Sequence, residues 1–202
     1  MSIVINGDGS ISGISVGGLP DGTVDAGTLA TNSVDSAELV DGSIDTAHIG
    51  TDQITSAILP AGSILQVVDY DGGSGSQVST SSSTFAATGE EIVITPSSTS
   101  SKILVIAVWN AQVLVNGDNQ AEGEFKLVGT TNGDLMLHRY QNYDYGGSGL
   151  AQTSTQNMTV LDTPSSTSEQ TYSIHYRLID GDYLRMNNAN KKANMIAIEF
   201  KG

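Results

Sequence analysis

The chain has 202 residues, no cysteine and a formal net charge of −14, from 22 acidic and 8 basic side chains. All the Lys and Arg residues fall at Lys102 or later, so the first half lacks the clustered cations that a nucleic-acid or anionic-membrane surface needs, and neither partner is expected. The missing cysteines exclude a disulfide framework and thiolate metal sites.

The opening segment, residues 1–20, holds one β-branched run, Ile3-Val4-Ile5, followed by Gly/Ser-rich turns. MSIVINGDGSISG has no basic n-region and no long apolar core, so a secretory signal is not expected. No stretch approaches the roughly 18 consecutive apolar residues of a membrane-spanning helix, so membrane insertion is not expected either. The β-branched run reads as a strand lent to a partner's sheet or as a free terminus.

Residues 21–61 carry four ten-residue repeats: DGTVDAGTLA, TNSVDSAELV, DGSIDTAHIG and TDQITSAILP. An aliphatic residue falls at every fifth position, at Val24, Leu29, Val34, Leu39, Ile44, Ile49, Ile54 and Leu59. The series runs back through Leu19 and Ile14 and on to Ile64. A step of five flips a side chain to the other face of a strand. In an α-helix it rotates the side chain by roughly 140°, which smears the stripe around the cylinder. Only a chain that bends at each step keeps these residues on one surface. Asp25, Asp35 and Asp45 recur at one phase before small residues, where their carboxylates can cap such a bend. So short an array buries little alone, and identical chains wound about an axis close its core by symmetry. The expectation is a homotrimeric shaft with these aliphatics as its core.

From residue 62 to 202 the texture is strand and turn. Strands are expected at Ile64–Tyr70, Glu91–Thr95, Lys102–Val115, Glu124–Gly129, Leu135–Tyr140, Ala151–Asp162, Gln170–Ile179, Tyr183–Met186 and Asn194–Phe200, with a Ser/Thr tract at 74–84 as a loop or edge strand. Lys102–Val115 is apolar on both faces for its first half, which suits a central strand covered by a second sheet and by a neighbouring subunit. Asn116-Gly117-Asp118, Asn132-Gly133 and Asp180-Gly181-Asp182 mark hairpin turns. The fold expected is all-β: a repeat shaft followed by an antiparallel β-sandwich, a jelly roll.

The repeats, of the type DGSIDTAHIG, resemble the decapeptide arrays of bacteriophage tail-fibre and related virion proteins. LPAGSILQVVDY resembles the junction from such a shaft into a terminal head domain, and ITPSSTSSKILV and the closing NMIAIEF look like that head's pattern. The resemblance implies a homotrimer, attached through residues 1–20 to another virion protein of tail or capsid, with a distal head touching the host surface. It implies a protein assembled in the host cytoplasm and exposed on the particle. A capsid decoration or head-fibre protein without a specific receptor, and a carbohydrate-binding surface adhesin, remain as alternatives.

The richest polar-aromatic segment is HRYQNYDYGG, with His138, Arg139, Tyr140, Asn142, Tyr143 and Tyr145. Aromatic faces stack on sugar rings, and amide and guanidinium groups bond hydroxyls, so these six residues are the candidate contact loop for a host surface glycan. Trp109, mid-strand among aliphatics, reads as core. His48 reads as a solvated repeat position, and His175 has no second ligand at metal spacing. The acidic pairs Asp69/Asp71, Asp118/Glu122 and Asp180/Asp182 lack calcium-loop spacing and read as turns. No nucleophile elbow, phosphate-cradling loop or metal-binding His pair is present. No enzyme activity and no metal or other cofactor is expected.

Overall fold

A computed structural model of the chain describes residues 4–5, 7–8, 11–12, 24, 29, 31, 34, 39–72, 76–114, 120–143, 151–187 and 192–202. The chain divides into two compact units, Met1–Ile54 and Thr55–Gly202. The division falls inside the fourth repeat.

In the first unit, β1 (Val4–Ile5) pairs antiparallel with β2 (Ile11–Ser12), so the β-branched run finds its partner within the chain. Further on, hydrogen bonds from residue i+3 back to residue i close turns at Val40–Ser43 (2.9 Å), Asp45–His48 (3.1 Å) and Gly50–Gln53 (3.3 Å). In the second unit the same step continues at Thr55–Ile58 (3.0 Å) and Pro60–Ser63 (3.2 Å). A turn therefore begins every fifth residue, and an aliphatic follows each one: Ile44, Ile49, Ile54, Leu59 and Ile64. The expected bend is there at each of these five steps, the turns of the earlier repeats lying outside the described residues, and alternate turns differ in kind. Gly42, Asp52 and Gly62, third in their turns, have φ of +81°, +61° and +86°, a region costly for most side chains. In the intervening turn Asp45 Oδ1 accepts from the Ala47 amide at 2.9 Å. Two turn chemistries in alternation make the repeat ten residues long although the aliphatic step is five.

The second unit is a two-sheet sandwich. One sheet holds β3 (Ile64–Tyr70), β12 (Asn194–Phe200), β6 (Lys102–Leu114) and β9 (Ala151–Asp162) side by side. Two short strands, β11 (Tyr183–Met186) and β4 (Val78–Thr80), extend it beside the far half of β6, which puts the Ser/Thr tract on a sheet edge. The other sheet has the order β5 (Ala86–Ile94), β10 (Gln170–Asp180), β7 (Gln120–Gly129) and β8 (Gly133–Tyr143). Taking the eight long strands in chain order, the sheets read 1-8-3-6 and 2-7-4-5, all antiparallel. That is the connectivity of a jelly roll.

Two expected hairpins are corrected by this topology. Of the three turn signals, Asn132-Gly133 alone joins strands that pair, β7 with β8. After β6 the chain crosses to the opposite sheet, because β6 pairs with β9, β11 and β12 and not with β7; residues 115–119 lie outside the described ones. After β10 it crosses back at Gly181, whose φ is +105°. A Cβ there would stand 2.8 Å from Ala121 Cβ and from Leu114 O, so the tight crossing needs glycine.

Between the sheets lies one apolar core, with Ile103, Val105, Ala107, Trp109, Ala111 and Val113 of β6 facing Phe125, Leu127, Tyr172 and Ile174. Trp109 is buried, its ring centroid 5.0 Å from that of Phe125. At the end of the sandwich nearest Ser63, Gly62 N donates to Lys201 O (2.7 Å) and Lys201 N to Ser63 O (2.8 Å). The Lys201 ammonium also donates to the carbonyls of Ala57 and Leu59. The C-terminal segment thus ties residues 57–63 to the sandwich.

Candidate functional site

Of the segment expected to be a contact loop, residues 138–143 lie on strand β8 and the rest lie outside the described residues; strand alternation divides those on β8 between two environments. His138, Tyr140 and Asn142 turn inward. His138 Nε2 lies 2.6 Å from Gln156 Oε1, and its ring sits edge-on to Trp109 at 6.2 Å. Tyr140 is buried and donates to Gln152 O at 2.8 Å, with burial raising its phenol pKa. Asn142 is buried as well. Tyr140 and Asn142 are thereby withdrawn from any surface contact, and His138 stays partly exposed. Arg139 and Tyr143 turn outward, and Tyr143 is 50% exposed. Tyr145 lies outside the described residues.

Arg139 belongs to a charged row across the outer face of the β5-β10-β7-β8 sheet. Register places Arg177, Glu124 and Arg139 side by side on β10, β7 and β8. Arg177 holds Glu124 Oε2 at 2.6 Å, and Arg139 reaches Glu124 at 3.3 Å and Glu122 at 2.8 Å. Gln120 and Gln141 each donate to Glu122 Oε2 at 2.8 Å. Both glutamates are buried beneath these partners although they point away from the core.

The neighbouring row runs His175, Lys126, Leu137. Lys126 pairs with Asp134 at 2.8 Å, and Lys126 Nζ and Arg177 Cζ both lie 4.6 Å from the centre of the Phe85 ring. These groups line a groove of about 290 Å³. Burial lowers the His175 pKa, and the Lys126 charge lowers it further against the opposing pull of Asp134. The face thus offers cations over an aromatic ring beside amides and carboxylates, a surface able to bond hydroxyl and carboxylate groups. Sequence reading passed over Phe85, Lys126 and Arg177. Glu122, Glu124 and Lys126 at alternate positions were the available signal, since that spacing marks one strand face.

The other residues singled out have local roles. His48 Nδ1 lies 2.8 Å from Asp45 Oδ1, and both side chains are exposed. Asp71 pairs with Lys192 at 3.2 Å, and Asp180 Oδ1 accepts from the Gly181 amide at 2.8 Å. Among the described residues no group of three His, Asp or Glu side chains is placed to hold a metal ion.

Along the repeats, the described aliphatics are exposed in the single chain: Val24, Leu29, Val34, Leu39, Ile44, Ile49 and Ile54, the last at 55%. Leu59, in the second unit, is half-buried.

No protein-family model and no characterised protein matches this sequence. Among solved structures, the chain is similar to VP2 of infectious bursal disease virus. Against a VP2 subviral particle the TM-score is 0.31 at 13% identity, over 75% of this chain and 40% of that one. Against mutant VP2 in derived T=1 particles it is 0.31 at 11% identity, over 76% and 40%. This chain spans about two fifths of the length of those proteins.

Proposed function

We propose that the chain is a structural protein of a phage particle: a homotrimeric fibre or spike with a repeat shaft, attached through residues 1–20 and presenting its jelly-roll head to the host surface. One observation carries the reading. Aliphatic side chains recur every five residues on a ladder of turns, and in the single chain they stand in water. Fully burying such a side chain is worth about 1.5–3 kcal/mol, and the turn ladder by itself has no interior in which to bury them. Identical chains about a common axis supply that interior, each lending the same residues at the same height. The resemblance of these decapeptides to phage fibre arrays supports the same conclusion.

The head acts by binding, not by catalysis. Its contact surface is the outer face of the β5-β10-β7-β8 sheet, where Arg139 and Tyr143 lie, and the ligand is a host surface glycan. Three such faces on one particle-bound head give avidity from weak individual sites. Antibodies raised against the head should decorate intact particles in electron micrographs, and particles carrying Arg139→Ala and Tyr143→Ala should adsorb to host cells at least tenfold more slowly. Undecorated particles contradict the virion assignment. Unchanged adsorption contradicts the contact face.

A further inference from the structure

We infer that the outer face of the β3-β12-β6-β9 sheet is a second interface between copies of this chain, lying at the base of the head. The inference rests on the trimeric shaft proposed above and extends it to a surface that the repeats do not include.

Register lines up the outward side chains in rows across the sheet. In the row near residue 63, Val67 stands beside Ile198, Ile198 beside Leu104, and Leu104 beside Leu161. Four strands thus contribute four aliphatic side chains with no polar interruption. In the next row Ile196 and Ile106 hold the centre, with Asp69 and Thr159 at the edges. In the third, Val108 stands between Asn194 and Asn157. The apolar surface therefore narrows with distance from the junction where Lys201 binds residues 57–63. At its base, Leu104, Leu161 and Phe200 line an open groove of about 390 Å³ together with Lys102 and Lys201.

Nothing among the described residues covers this face. Val67 is 57% exposed and Leu161 is 58% exposed, and both belong to strands whose inward residues already fill the core. A sheet facing water on one side alternates apolar and polar residues, whereas β6 and β12 are apolar on both sides over this stretch, the pattern of strands covered twice. The outer face of the opposite sheet shows what this chain does where a face stays wet: its row is Arg177, Glu124, Arg139.

The occupant is a second copy for two reasons. A chain of net charge −14 repels its own copies over most of its surface, and the Val67, Ile198, Leu104, Leu161 row carries no charge, with Lys102 beside Phe200 in the adjoining row and Asp69 at the edge of the next. Copies joined along a shared shaft also carry the same face at the same height, already at high effective concentration, so it needs no other partner.

The lack of native cysteine makes the test direct. Leu161→Cys and Leu137→Cys are introduced separately into the full chain; the parent side chains are 58% and 56% exposed in the single chain, Leu137 on the charged sheet. Labelling by a charged maleimide should be at least tenfold slower at position 161 than at 137. The double variant Val67→Glu, Leu161→Glu should raise the protein concentration of half-dissociation at least tenfold, and because both parent side chains are exposed the single head stays folded. Equal labelling rates in a particle with the mass of three chains overturn this interface and leave the shaft reading standing. A particle with the mass of one chain overturns both.

Discussion

Glu199 is fully buried at the base of the sandwich. Its Oε1 accepts from the Ser97 amide (2.7 Å), the Ser97 hydroxyl (2.7 Å) and the Ser101 hydroxyl (2.6 Å), and its Oε2 from Gln66 Nε2 (2.6 Å). Burial alone raises a carboxyl pKa, but the bonds from Ser101, Ser97 and Gln66 outweigh it and hold Glu199 below its ordinary 4.5. A carboxyl depressed in the folded state adds stability that is present above its unfolded pKa and disappears as pH falls through the folded value. Thermal melts of the wild type should therefore weaken on acidification below about pH 4.5. Glu199→Gln should flatten that dependence and cost about 1–3 kcal/mol at neutral pH, because an amide nitrogen would then face donors. Nothing in NMIAIEF announced this role, since the donors arrive from residues 66, 97 and 101 through the fold. Trp109 was legible: its aliphatic neighbours marked it as core, and Trp109→Ala should cost about 3–5 kcal/mol in chemical denaturation. For HRYQNY the residue types suited recognition, but strand alternation buries Tyr140 and Asn142 and leaves His138 only partly exposed.

Among elements, the turn ladder was the most legible, because a five-residue step fits neither helix nor strand and leaves a bend as the remaining solution. The ten-residue unit has a signature of its own. Gly22, Asn32, Gly42, Asp52 and Gly62 recur at one phase, and Gly, Asn and Asp are the types that accept a left-handed backbone. At Gly42 the space around a Cβ is open, so Gly42→Ala should cost only the backbone strain of φ +81°, about 1–2 kcal/mol. Asp52→Gly should leave the thermal midpoint unchanged or raise it, because Asp52 bears the same strain with a side chain attached. The strands of the head were readable as elements, although β5, β7 and β8 run longer than expected, and their pairing was much less so. Asn-Gly and Asp-Gly signal that the backbone reverses, yet a reversal joins two strands of one sheet or steps between two, and local chemistry is the same for both.

At the scale of the molecule, the two outer faces of the head have opposite characters, and each follows from how its strands alternate. One face is a row of paired charges over Glu122 and Glu124, suited to contact through water. The other is aliphatic at its base and, like the exposed aliphatics of the repeats, is apolar surface without cover inside a single chain. The aliphatic period and the two-sided apolarity of Lys102–Val115 are both legible in the amino-acid sequence, whereas the rows that unite Val67, Ile198, Leu104 and Leu161 depend on the jelly-roll register. On the proposed reading this chain completes its interior only with copies of itself. Light scattering behind size exclusion, on the full chain at micromolar concentration, tests it most directly. A homotrimer gives a particle of three times the 21.0 kDa chain mass, and a folded particle of one chain mass would contradict it.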